Sequence, residues 1–212
     1  TVIRSGIFYN QTGPKSKALH FGPTYDYLQI PVGTGPRAVA AISDPVSIEF
    51  MVKLEKENEW QGMVVEGDEA NQYDYLFAVT PDNKLGFYTE VGQAWYSGTR
   101  KLQKNIWYHV GVTVGSCHSE AGDRRIGCTL KLYVNGQLAA VTLYSGLHNG
   151  PAALPRDVAT GFASKHAVTI GGWPGAAGVP HLYPLHGMID ELVIYDRVIS
   201  NEEMVDRYKG NL

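Results

Sequence analysis

The run LKLYVNGQLAAVTLY, residues 130–144, constrains the fold more than any other stretch. Apolar and polar residues alternate on both sides of Asn135-Gly136. An Asn-Gly pair between two such runs signals a two-residue β-hairpin, because both central residues of the favoured turn need positive φ, which Gly and Asn tolerate. The same alternation recurs in SIEFMVKL (47–54); GMVVE (62–66) is a short β-branched run, and YDYLFAV (73–79) leads through the turn TPDNK into LGFYTEV (85–91). AWYSG, IWYHVGVTV (106–114), AVTIGGW (167–173) and GMIDELVIYD complete the series. A period of two is the mark of a strand, and 24 Gly and 11 Pro supply the turns between them. One helix closes the chain: Ser200-Asn201-Glu202-Glu203 fits a capping box, and Gly210 can end it. No βαβ alternation, low complexity or internal repeat is present, and residues 145–166 read as a long loop on one face. The expectation is one all-β domain over residues 1–212, an antiparallel two-sheet sandwich with a short C-terminal helix.

Charge and hydropathy exclude several functions. A net charge of −3 with no cluster of Lys and Arg argues against nucleic acid as a partner. No apolar run approaches the roughly 18–20 residues of a membrane span, and TVIRSGIFYN lacks the apolar centre of a signal peptide, so a soluble chain is expected. Cys117 and Cys128 flank a polar loop between two strand-like runs. A disulfide across that hairpin mouth is worth about 2–3 kcal/mol and implies an extracellular or cell-surface location; the alternative is two free thiols. Asn10-Gln11-Thr12 is a glycosylation sequon, a weak signal alone.

ALHFGPTYDYLQIP (18–31), SIEFMVKL, IWYHVGVTV, LKLYVNGQLAA, TIGG and LHGMIDELVIYDRVISNEEM stand in an order and spacing that resembles the laminin-G-like, concanavalin A-like jelly-roll domains. That resemblance implies a jelly roll of a dozen or so strands. It also implies a structural calcium, held by the Asp of the final motif, here Asp190, with main-chain carbonyls of the N-terminal segment around Gly22. A hard cation would neutralise a carboxylate otherwise costly to bury. The chain departs from the family where Phe-Asp-Gly is usual and Phe21-Gly22-Pro23 stands. The alternative is that Asp190 pairs with Arg or Lys, or caps backbone N–H groups. By strand parity Glu191 faces the other way.

Glycoside hydrolysis needs two carboxylates about 5–9.5 Å apart across the scissile bond. Glu55, Glu57 and Glu59 have a period of two, but Lys56 and Asn58 between them mark a solvated loop. Glu66, Asp68 and Glu69 read as a rim loop. Catalytic triads, HExxH and phosphate loops are missing, and the histidines are scattered, with His109 read as structural. Sugar binding is better founded, because C–H faces stack on aromatic rings and hydroxyls seek planar polar groups. Trp95 and Tyr96 are the first candidates, Trp173 the second, with Trp60, Tyr73, Tyr75 and Tyr183 behind them and Asp68, Asn71, Gln93 and Arg100 as polar partners; Trp107 is assigned to the core. The expected function is a non-catalytic, lectin-like glycan- or polysaccharide-binding module. The alternatives are an extracellular adhesion or protein-interaction domain, or a glycoside hydrolase or lyase.

Overall fold

The computed structural model describes residues 2–4, 8–14, 17–22, 26–30, 46–67, 73–89, 94–119, 125–147, 167–172, 183–195 and 197–210. Numbered in chain order, its strands form two seven-stranded antiparallel sheets. The first runs β1 (Val2–Arg4), β4 (Tyr27–Ile30), β13 (Ala167–Ile170), β6 (Gln61–Gly67), β7 (Tyr73–Val79), β8 (Lys84–Thr89), β9 (Ala94–Lys101). The second runs β12 (Gln137–Leu147), β11 (Arg125–Val134), β10 (Trp107–Ser119), β5 (Val46–Leu54), β14 (Gly187–Tyr195), β3 (Lys17–Phe21), β2 (Phe8–Thr12). This is the expected sandwich, and no helix among the described residues is long and apolar enough to cross a membrane.

Alternate residues of each strand fill the space between the sheets. Ile48, Phe50, Val52 and Leu54 of β5 and Val110, Val112 and Val114 of β10 meet Phe77 and Val79 of β7 and Leu85 and Phe87 of β8, all fully or almost fully buried. Phe50 and Phe77 touch edge to face across the gap at 5.5 Å, and each such ring removed from water contributes roughly 1.5–3 kcal/mol. The β11–β12 hairpin turns through Asn135 and Gly136 at φ 52° and 70°.

The capping box forms: Ser200 Oγ accepts from Glu203 N, Glu203 accepts from Ser200 N, and Gly210 ends α1 (Asn201–Lys209) in the left-handed region at φ 75°. Met204 of α1 packs with Tyr133 and Ile199 on the outer face of the second sheet. A Cβ on Gly111 would sit 2.7 Å from Met204 Cε, so the missing side chain is the seat of the helix.

Three expectations change here. Regular parity fails in β14: Asp190 pairs with Met51 and Val193 with Glu49, so Glu191 and Leu192 together oppose Phe50 in a β-bulge. Glu191 takes φ 55° and is exposed, while Leu192 and Ile194 return to the core side. Glu66 is not on a rim loop. It lies fully buried inside β6, opposite both Tyr75 and Val168, because β6 is a central strand that continues through Gly67. Tyr75 is core as well, stacked on Phe87 at 5.7 Å.

Candidate functional site

The turn between β5 and β6, residues 55–60, builds a shelf at one end of the sandwich. Each glutamate on it is engaged from a different element. Glu55 meets His20 Nε2 at 2.9 Å, Glu57 accepts from Lys104 N at 2.9 Å, and Glu59 lies 3.4 Å from His186 Nε2. The segment 183–186 is strapped to this turn through backbone and side chain. Glu55 N donates to His186 O at 2.8 Å, Gly62 N to Tyr183 O at 2.7 Å, and His186 N to Gln61 Oε1 at 2.9 Å. Gln61, fully buried, spends its other end donating to Lys56 O.

These straps hold Tyr183 at φ 54°, an uncommon conformation for a bulky residue. Its ring packs on Val65, Leu76 and Ala78, the outer face of the first sheet, together with Tyr88. Trp60, half-buried, meets the Tyr183 ring with centroids 6.0 Å apart and planes at 57°. Glu59 Oε1 is buried beside this corner without a hydrogen-bond donor among the described residues. Burial, reinforced by the Lys56 ammonium, holds the His186 imidazole below its usual 6.5, so it is neutral at pH 7. An aromatic pair, a partly exposed carboxylate with Oε1 turned inward and a neutral imidazole thus stand on this turn and the segment strapped to it.

Of the residues singled out in the sequence, Trp60 and Tyr183 are brought together. Trp95 stands opposite Tyr88 in the β8–β9 ladder, the register position of the outer face, whereas Tyr96 stands opposite the core residue Phe87. The backbone of Tyr73 pairs with Gly67 at the start of β7. Arg100 is exposed but lies over the Tyr108 ring at 6.0 Å, where it is packed rather than free to serve the shelf. Trp107 is not core: it is half-buried, with Lys53 Nζ 5.5 Å from its ring. Asp68, Asn71, Gln93 and Trp173 lie outside the described residues, as do the side chains of Trp95, Tyr96 and Tyr73.

The residues named for calcium do not fit it as a pair. Gly187 pairs with Phe21 and Ile189 with Leu19, so Asp190 falls beside Ala18 and Gly22 beside His186, about 13 Å apart at ~3.3 Å per residue. Gly22 N instead donates to Asp26 Oδ2 at 3.0 Å. Asp190, 8% exposed, accepts from Glu191 N at 2.9 Å, capping the N–H that the bulge takes out of the ladder. The segment lying against Asp190 is Gly13, where a Cβ would fall 2.0 Å from Oδ2. No group of three or more His, Cys, Asp or Glu side chains among the described residues is arranged to hold a metal.

A second polar cluster lies on the other sheet, under the C-terminal helix. Glu49, 3% exposed, accepts from His109 Nε2 at 2.9 Å and Tyr195 Oη at 2.5 Å, with Arg207 Nε at 3.4 Å. Burial pushes its carboxyl up, but those hydrogen bonds and the charges of His109 and Arg207 outweigh it and leave the group below its ordinary value. Burial and the neighbouring carboxylate drive the Tyr195 phenol far up, so it is a committed donor. This cluster ties β5, β10, β14 and α1 together, in keeping with the structural reading of His109.

Two seven-stranded antiparallel sheets of this topology define a jelly-roll sandwich. The chain belongs to the concanavalin A-like lectin/glucanases superfamily, whose laminin G family it matches over residues 22–204. Among solved structures it is similar to domain 4 of AbnA, a GH43 extracellular arabinanase from Geobacillus stearothermophilus, in complex with arabinotriose: 19% identity, 96% of this chain and 81% of that one, TM-score 0.57. It is similar to the CBM40 of the Ruminococcus gnavus IT-sialidase bound to α2,3-sialyllactose, with 16% identity, 86% and 96% of the two chains, and TM-score 0.57. Trypanosoma rangeli sialidase in complex with sialic acid matches at 16% identity over 97% of this chain and 29% of the sialidase, TM-score 0.62. At these identities the likeness is one of fold. No curated protein sequence matches the chain.

Proposed function

We propose that the domain is a non-catalytic glycan-binding module whose ligand rests on the outer face of the first sheet at the Trp60–Tyr183 shelf. The observation that carries this reading is the pairing of these two rings beside Glu59 and His186, where a segment 123 residues distant is strapped down and a tyrosine is kept in a strained backbone conformation. Strain of order 1–3 kcal/mol persists where the surroundings over-determine it, and it concentrates at ligand sites. Trp95, whose backbone pairs with Tyr88 in the β8–β9 ladder, is the further residue proposed to contact the ligand. The Glu55, Glu57 and Glu59 carboxylates are turned to three separate partners rather than to one scissile bond.

The reading includes an extracellular or cell-surface location and a Cys117–Cys128 disulfide. In its support, Gly115 pairs with Thr129 and His118 with Gly127, which sets the two cysteine backbones side by side at a bulge in the β10–β11 ladder. A protein partner is the second reading, favoured by exposed Leu138 and Val141 on the edge strand β12. Retention on a printed glycan array tests the first. Wild type should be held and Trp60→Ala and Trp95→Ala released with their folds intact, while release of reducing sugar by wild type would make the domain an enzyme.

A further inference from the structure

Resting on that reading, we propose that the Trp60–Tyr183 corner takes one neutral sugar unit at the end of a soluble chain, rather than an acidic sugar or the flat surface of a crystalline polysaccharide. Flat surfaces are gripped by rings that lie in one plane and follow the repeat of the chain. Here the planes meet at 57° with centroids 6.0 Å apart, so both rings cannot lie on one surface. A corner of this shape stacks one ring on a sugar's C–H face and closes the other against its edge. One wall is fixed before binding, Tyr183 by Gly62 N and the straps at His186, and the Trp60 ring packs against it. A corner already in place loses little ordering entropy when a small unit enters it.

The polar lip selects the charge. Glu59 is 38% exposed with Oε1 turned inward, 3.4 Å from His186 Nε2, so a ligand at the corner meets the outer part of a carboxylate and must offer it a donor. An ionised carboxylate only accepts hydrogen bonds, and a sugar hydroxyl satisfies it. A sugar carboxylate brings no proton and would be set against Glu55, Glu57 and Glu59 in the same turn. Lys56, though exposed, lies 3.9 Å from Glu59 and 3.4 Å from His186 Nε2, so its charge is already shared with a carboxylate. His186, held neutral by burial, adds no charge to attract an anion.

An array carrying neutral oligosaccharides of two to six units, each beside its α2,3-sialylated form, tests this on the wild-type domain, with a crystalline cellulose pull-down alongside. Neutral chain ends are expected to bind, with affinity changing less than about threefold from two to six units, and sialylation should weaken binding more than tenfold. Glu59→Gln should raise Kd about fivefold or more at an unchanged melting temperature, and Tyr183→Ala and Trp60→Ala tenfold or more. Equal binding of the sialylated forms, a tenfold gain with chain length, or retention on cellulose that Trp60→Ala abolishes would overturn the inference and leave glycan binding standing. No retention of any glycan, or retention indifferent to Trp60, Tyr183 and Trp95, would overturn both.

Discussion

Glu49→Gln separates a structural from a functional role for the buried His109 cluster. Glu49 accepts from His109 Nε2 and from Tyr195 Oη, one on each carboxylate oxygen. A glutamine has one acceptor and one NH2, so at most one of these donors keeps its partner. The imidazole could accept from the new NH2 only by moving its proton to Nδ1, but Nδ1 is buried and has no partner among the described residues. One buried donor is therefore left unsatisfied in either tautomer, at about 1–3 kcal/mol, and the surviving bond falls from charge-assisted to neutral, about 1 kcal/mol more. The Arg207 contact is partly exposed and adds under about 1 kcal/mol. The sum is about 2–4 kcal/mol. Urea denaturation followed by tryptophan fluorescence should show the midpoint falling by about 1 M at an m-value of about 3 kcal/mol/M, with glycan retention unchanged because the shelf lies on the other sheet. A loss under about 1 kcal/mol would refute the accounting, and a folded variant that no longer binds glycan would move the ligand site to the helix side.

Other perturbations have definite signs. Gly13→Ala places a Cβ against Asp190 Oδ2; overpacking of about 1–3 kcal/mol should lower Tm by about 3–10 °C in calorimetry. Because His186 is held below 6.5 in the fold, the unfolded chain takes up its proton first as pH falls through 6.5, and stability drops there; His186→Gln should flatten Tm between pH 7 and 5, above the range where Glu49 and Glu203, the latter held at about 2, contribute. Mass spectrometry without reductant should find Cys117 joined to Cys128, and two free thiols would remove the argument for an extracellular location. EDTA should leave Tm unchanged, since Asp190 and Gly22 are too far apart to share a cation; a fall of several degrees would mean another ligand set holds one.

What could be read in advance is what is local. Asn135-Gly136 demanded a tight turn by its own backbone preferences, and Ser200 and Glu203 satisfied each other's N–H groups within one helical turn. The β14 bulge left no such trace, because GMIDELVIY is apolar at most positions of both parities and shows no break in period, and only the pairing of Asp190 with Met51 and Val193 with Glu49 shows the extra residue. Glu66 looked like a loop acid because Gly67 follows it, yet the ladders on both sides carry β6 through that glycine. Trp60 and Tyr183 carry no mutual signal across 123 residues. The one hint was an aromatic residue before a proline in a Gly- and Pro-rich stretch, where the chain needs outside support to stay in one conformation. The short strands β1 to β4 were also missed as strands, since three to five residues are too few to display a period.

The two outer faces of the sandwich have different fates, and that difference bears on function. On the second sheet Met204 sits over Gly111 and Glu49 draws in His109, Tyr195 and Arg207, so the middle of that face is spent on docking α1. On the first sheet Val65, Leu76 and Ala78 are covered in part by two rings, Tyr88 and Tyr183, which offer a ligand both apolar area and a polar tip. Hydrolysis on such a scaffold asks for two carboxylates facing one bond, one of them kept protonated by its surroundings. In the turn beside the shelf, Glu55 is committed to His20 and Glu57 to Lys104 N, while Glu59 turns Oε1 inward toward His186 and keeps part of its carboxylate exposed. One carboxylate can orient a hydroxyl but cannot also supply the acid that a leaving group needs, so the described residues of this turn support the proposal that the shelf holds a sugar rather than cleaves it.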